Sequence, residues 1–350
     1  MRNVLLVVSL AILAVAQDSG PNKVLQRAKV GGEGRFDYVY ADADGRKLYV
    51  PRTGADIARV SVYDLDSLKL LGEIPKVNAR GVAVDPKTGH GFASSNPVAM
   101  FDTKTLAPIK TIEVQGGPDG ILFDPFNQRV WIFSHRAPNA TIIDTKDGSV
   151  VGTLDLGGAP EQAVTDGKGH MWVDLEDKDS IAAVDTKALK VTATYLLDGK
   201  GGGPGGLAFD AKNRILFATC HTPATMVILN ADTGKVIDAL PIGTGTDGAT
   251  FNPATMEAFS SNGDGTLTVI KEESATKFSV EQNVQTMRGA KTLTLDSKTN
   301  RVLMIAAETQ PAPAPPPDAP APKADQKGGG RGRGGVMVPD SFTIVVVGTK

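Results

Sequence analysis

One short phrase occurs seven times in this 350-residue chain: an apolar run closed by Asp or Asn, a turn, then a second apolar run. The copies close on Asp42, Asp85, Asp124, Asp166, Asp210, Asn252 and Asp296, at intervals of 43, 39, 42, 44, 42 and 44 residues. Self-similarity at such a period means that each repeat is one supersecondary unit, too small to bury its apolar face except on its neighbours. Within the copies apolar positions alternate with period two, and none has helical spacing. Each unit is therefore a sheet, and about 40–45 residues is the length of a four-stranded propeller blade. The expected fold is all-β, a seven-bladed β-propeller.

The Asp that closes each phrase has a local task, because its side chain can accept backbone amides two residues on and so set the turn to the next strand. A second phrase fills the other half of the repeat. It closes on Asp64, Asp102, Asp144, Asp185 and Asn230, each followed by a turn and another apolar strand, which is hairpin chemistry. Every repeat then carries strands a, b, c and d. The sixth copy has drifted, with Ile270 and Lys271 where Asp is expected.

The seventh repeat is interrupted. Strand b ends near Ala307, the next β-like run is 342–347, and nothing after it can supply strand d. The passage 24–32 resembles the strand-d-plus-turn passage 151–158, so the N-terminal strand is expected to be the outer strand of blade 7. That closes the ring and covers an edge that would otherwise pair with other chains. Residues 17–350 then form one propeller domain, ordered over 24–309 and 341–348. The intervening 310–340 is rich in Pro, then in Gly and Arg, and has almost nothing to bury. It reads as a disordered insertion in the b–c connection of blade 7, either a tolerated loop or a partner-binding arm.

Residues 1–16 read as a signal peptide: Arg2 near the start, an apolar run over 4–15, and a small-x-small site at Ala14–Ala16. The run is shorter than the ~20 residues of a bilayer span. A retained anchor is the alternative, although the Cys that lipid attachment needs is missing. The mature chain is expected to be exported, to the periplasm or the extracellular space, with no transmembrane segment. Without Arg2 it has 36 Lys and Arg against 39 Asp and Glu, which leaves no basic footprint for nucleic acid. Cys220 is the only cysteine, so no internal disulfide can form and packing must hold the fold.

The run Gly116-Gly117-Pro118-Asp119-Gly120-Ile121-Leu122-Phe123-Asp124-Pro125, with 48–53 and 91–96, resembles the YVTN repeat of YncE-like propellers. These belong to the wider WD40/quinoprotein-like superfamily. The resemblance covers 24–309 and the last strand. It implies the fold and transfers no catalytic motif.

In a propeller the d–a and b–c loops open on one face around the channel mouth, where ligands usually bind. The repeat allows that face to be read in columns. Five residues before each closing Asp or Asn stand Asp37, Arg80, Asp119, Glu161, Gly205, Asp247 and Lys291. The b–c column holds Thr53, Asn96, His135, Glu176, His221, Asn262 and Glu308. Both columns stay polar yet diverge, while the core columns keep Val, Ala, Phe and Leu, which is the pattern of a site grafted onto a repeat.

The d–a column has two readings. One is a self-neutralising ring, Arg80 pairing with Asp37 or Asp119 and Lys291 with Asp37 or Asp247. The other is a mouth for a small polar ligand or cation, admitted at the Gly205 gap. His135, Glu176 and His221 form a possible metal set, but no close spacing forces them together, and two solvated loop histidines is the alternative. His90 and His170 fall in a–b turns on the opposite face and are expected to be exposed. Calcium-loop fragments near Asp42 and Asn262 lack the terminal Glu, and the Gly199–Gly206 run precedes no helix that could cradle a phosphate. The sequence names no cofactor. The expected function is a binding scaffold presenting its top face to a small polar ligand, a wall component or a protein. The alternative is an enzyme, a lactonase-type hydrolase or metal-assisted lyase using the carboxylates with His135 or His221.

Overall fold

The computed structural model describes residues 19–311 and 336–350, and in it the chain forms seven four-stranded antiparallel sheets. The expected signal peptide lies outside the described residues, as does most of the insertion. Six blades are continuous in sequence, over 40–75, 82–112, 118–155, 160–196, 204–241 and 246–285. The seventh orders its strands as Leu293–Asp296, Arg301–Ala306, Thr343–Thr349 and Asn22–Lys29. Strand d of blade 7 is thus the N-terminal strand, antiparallel to the C-terminal one from Asn22↔Thr349 to Lys29↔Thr343.

Burial explains which segments take which place. Strands b and c pack on both faces, so Arg129–Ser134 and Asn139–Asp144 are buried almost throughout. Strands d lie at the rim with one face in solvent, and Lys190–Leu196 alternates accordingly. The core is divided. Seven apolar clusters each interleave side chains of two neighbouring blades, one cluster at every interface around the ring.

The closing Asp residues do what their position predicts. Asp85, Asp124, Asp210, Asn252 and Asp296 each accept the amide two residues on, and Asp42 accepts that of Gly45. In the c–d hairpins the fourth residue after the Asp lies in the left-handed region, at Leu68, Leu106, Gly148, Leu189 and Gly234. The drifted sixth copy keeps its hairpin by lengthening it, with strands Thr266–Ser274 and Lys277–Gln285. One feature of the insertion differs from the expected coil. At its base Thr309–Gln310 pairs with Val336–Met337, because Met337 finds apolar partners in the cluster between blades 7 and 1.

Side chains reinforce the closure. The amide of Asn22 donates to Gln282 Oε1 at 3.1 Å and Gln282 Nε2 donates to the Asn22 carbonyl at 2.8 Å, which ties the N-terminal strand to blade 6. Arg52, fully buried, donates through Nη2 to the Gly31 carbonyl at 2.7 Å and lies 3.3 Å from the centroid of the Phe342 ring. That fixes the passage from the last blade into the first.

Removing residues 22–29 is expected to abolish the cooperative monomer, since it uncovers the edge of Thr343–Thr349. Size-exclusion chromatography with a thermal melt checks this; an unchanged monomer with an unchanged midpoint would show that closure does not depend on the strand. Gln282→Ala, which strands two buried backbone groups, is expected to cost about 1–3 kcal/mol in a denaturant titration.

Candidate functional site

The d–a column lies at the N-terminal ends of the innermost strands, so its side chains gather around one end of the central channel. Blade 1 contributes Asp37, blade 2 Arg80, blade 3 Asp119, blade 4 Glu161, blade 6 Asp247 and blade 7 Lys291. Arg80 Nη1 is 2.6 Å from Asp37 Oδ2, and its Nε is 4.0 Å from Asp119 Oδ1. Lys291 contacts Asp247 directly and stands 4.0 Å from Asp37 Oδ1. Both cations therefore bridge between the acids that flank them.

The b–c loops complete the ring on the side of blades 3 to 5. His135 Nδ1 lies 3.1 Å from Glu161 Oε1, and its Nε2 lies 3.4 Å from Glu176 Oε2. Glu176 opens a single 3-10 turn, Glu176–Lys178, and its other oxygen is 3.9 Å from His221 Nε2. The two histidines are thus joined through one carboxylate, although they come from blades 3 and 5. Among the described residues a different group brings its donor atoms together: Asp119, His135 and Glu161, all within 4.8 Å of one another.

Other sequence candidates go elsewhere. Asn262 is fully buried and its amide works inside blade 6, donating to Thr266 and Thr268 and accepting from Ser260. Asn96 is exposed beside Pro97, away from these contacts. The gap at Gly205 is occupied: a Cβ there would stand 2.9 Å from His221 Nε2, so the imidazole lies over the glycine and uses the space that seemed open to a ligand. On the opposite face His90 is half-buried, its Nδ1 2.7 Å from the Thr145 carbonyl, whereas His170 is exposed as expected.

Two side chains that enter the mouth were missed by the columns, and both stand one residue further along. Tyr38 follows Asp37 and donates to Glu161 Oε2 at 2.7 Å, reaching from blade 1 to blade 4. Gln162 follows Glu161; its Oε1 accepts from Leu207 and Ala249, and its Nε2 donates to the Ala249 carbonyl. The same position in blades 2, 3, 5 and 6 is Gly81, Gly120, Gly206 and Gly248. The channel is therefore bridged beside the charged ring, around a cavity of about 170 Å³ whose walls include Tyr38, Glu161 and Gln162. The exceptions to a glycine column were the available signal.

Crowding sets the electrostatics. Burial pushes the Asp119 carboxyl up to about 7, and the charges of Glu161 and Asp37 add to it against Arg80 and His135. The contact with Glu161 raises His135 to about 9 against the effect of burial, with Glu176 and Asp119 assisting. Asp174, fully buried behind Glu161, is pushed well above the carboxylate range by burial and then by the Glu161 charge. One of its oxygens has no hydrogen-bond partner.

Asp119 stays protonated in the folded protein to a higher pH than in the unfolded chain. Ionising it costs the folded state, and the cost is absent below pH 3.8, grows through the interval and is complete above about pH 7. Asp119→Asn should leave stability unchanged at pH 3.5 and raise it by on the order of 2–4 kcal/mol at pH 8. Chemical denaturation at the two pH values measures this; a loss at pH 8 would mean that Arg80 and His135 fully compensate the acid.

No family model matches the sequence, and no curated protein matches it. Among solved structures the chain is similar to a chain in the crystal structure of a mitotic checkpoint complex, with a TM-score of 0.67 and 10% identity. The alignment covers 87% of this chain and 96% of that one. At that identity the similarity is one of fold alone.

Proposed function

We propose that this protein is a binding propeller whose top face holds a small polar ligand at the mouth of the bridged channel. The observation that carries this reading is the convergence, at one end of the channel, of charged side chains from all seven blades except the glycine of blade 5, whose place His221 takes. Five acids, Asp37, Asp119, Glu161, Glu176 and Asp247, stand against Arg80, Lys291 and His135, so the mouth favours a ligand that carries positive charge. Arg80 and Lys291 then orient an anionic part of the ligand or hold the acids in place. The YVTN-like repeats support a place among YncE-like propellers, and the first sixteen residues support work outside the cytoplasm.

A thermal-shift screen of amines, amino sugars and amino acids against the purified chain tests the reading. Hits are expected to raise the melting temperature, and Asp119→Asn combined with Asp247→Asn should weaken them at least tenfold by calorimetric titration while the variant stays folded. Affinity unchanged in the folded double variant would put the site elsewhere.

One observation favours a second reading, an enzyme of lactonase-type hydrolase or lyase kind. Asp119 near 7 beside His135 near 9 is an acid–base pair poised around neutral pH, as catalytic pairs are. Turnover of a lactone panel, lost in Asp119→Asn and rising through pH 7, would support it; a panel with no turnover at any pH would reject it for that class.

A further inference from the structure

Resting on the reading of the top face as a binding site, we propose that Asp119, His135 and Glu161 form the protein part of a divalent transition-metal site, with open coordination positions toward the mouth. Among the described residues these three bring a carboxylate oxygen, an imidazole nitrogen and a second carboxylate oxygen within 4.8 Å of one another. One imidazole nitrogen with two carboxylate oxygens suits zinc, cobalt or manganese, whereas calcium takes oxygen alone. Donors bound at about 2.0–2.2 Å stand roughly 3–3.5 Å apart, so the set closes by about an ångström. His135 can supply that movement, because it stands on the loop after Arg129–Ser134 and is about one-third exposed.

The two carboxylates are held from the backbone. Asp119 belongs to strand Pro118–Asp124 and Glu161 to Pro160–Thr165, the innermost strands of adjacent blades. Between them Gly120 permits a close approach, since a Cβ there would stand 2.2 Å from the Glu161 carbonyl oxygen. Any other residue would push the strands, and with them the two acids, apart.

Outer contacts aim the donors. Tyr38 donates to Glu161 Oε2 and leaves Oε1 facing His135 Nδ1 at 3.1 Å. Glu176 stands 3.4 Å from the far nitrogen, Nε2, where it can take the ring N–H and leave Nδ1 as the metal donor. That is the carboxylate–histidine–metal arrangement of metal sites, in which an outer acid fixes the tautomer. Nδ1 is buried against Glu161 Oε1, and a metal ion bound there would take the place of the proton between them. Two ionised carboxylates balance a divalent charge. Three protein ligands leave at least one position for water or a ligand group, as in sites that do chemistry and unlike closed structural sites. The set therefore differs from His135, Glu176 and His221: His135 remains a ligand, Glu176 moves to the outer shell, and His221 lies over Gly205.

The test uses the tag-free full chain stripped with a chelator and titrated with Zn²⁺, Co²⁺ and Ca²⁺. One equivalent of Zn²⁺ is expected to bind per chain, Co²⁺ to develop visible absorption bands, and Ca²⁺ to bind at least 100-fold more weakly. Asp119→Asn and His135→Gln should each lose Zn²⁺ affinity by 100-fold or more, and Glu176→Gln by ~10–100-fold, the size of an outer-shell effect. His170→Gln, on the opposite face, should bind as the wild type does. Asp119→Asn guards against misfolding, because without metal it should melt no lower than the wild type at pH 8. The absence of saturable Zn²⁺ or Co²⁺ binding in the wild type overturns the site, as does binding that survives in folded Asp119→Asn and His135→Gln. If amine or amino-sugar binding still depends on Asp247 after metal binding has failed, only the metal site falls; if metal binds and every organic compound fails, the wider reading falls alone.

Discussion

The ring depends on one pairing, the antiparallel contact between the first and last strands of the described chain. Asn22–Lys29 against Thr343–Thr349 makes blade 7 from two segments far apart in the sequence. Each apolar cluster spans two blades, so no blade owns a complete core and an open ring would leave two half-cores in water. The clasp of Asn22 by Gln282 and the placement of Arg52 beneath Gly31 and over Phe342 act on the same junction. The mouth inherits this dependence. Asp37 lies on the passage from the closing strand into blade 1 and is the acid that Arg80 and Lys291 share.

Closure brings seven inner strands to one axis, and the residue after each column position decides how near they come. Where it is glycine the strands close tightly: a Cβ on Gly206 would meet the Gly248 carbonyl carbon at 2.7 Å, and one on Gly81 would meet Ile121 at 2.8 Å. Where it is Tyr38, Gln162 or Thr292 the side chain enters the inner space and finds a partner on another blade. The bridging of the channel and the close packing of its wall are thus two outcomes at one repeat position. Charged groups are left to the rim, where they cost little core packing.

Much of this was legible in the sequence because a propeller converts a linear period into angular position. The closing Asp turns, the four strands per repeat, the exchange at blade 7 and the pairing of Arg80 and Lys291 with their flanking acids follow from the period and from like-with-like columns. Contacts between columns were not legible. His135 meets Glu161 of the next blade, and Glu176 spans His135 and His221, because b–c loops lean toward the axis by amounts that spacing does not encode. The gap at Gly205 was visible, but its filling by His221 was not. Asn262 failed as a rim residue because the turn before Thr266 folds its amide inward, toward two hydroxyls that satisfy it.

The acids of the mouth differ electrostatically from those of the opposite face. There Asp166 accepts the Lys168 and His170 amides and meets His170 and Arg214, and although burial acts against it, its carboxyl is held below the usual range. Asp296, bonded by Arg46 and Thr299, is lowered in the same way. Those acids stabilise the fold by being charged. Asp119 uses the same residue type beside Arg80 and goes the other way, to about 7, because burial acts on it most strongly and the charges of Glu161 and Asp37 add to that. On the opposite face each of these acids meets a permanent cation within 3.1 Å, Arg214 for Asp166 and Arg46 for Asp296. At the mouth the acids outnumber their permanent cations, and His135 must carry a proton to hold them together. A fold gains no stability from such a group, since the cost of ionising Asp119 falls on the native state alone. Strain of this kind is retained where something that binds relieves it, and a positively charged ligand or ion at the mouth would do so.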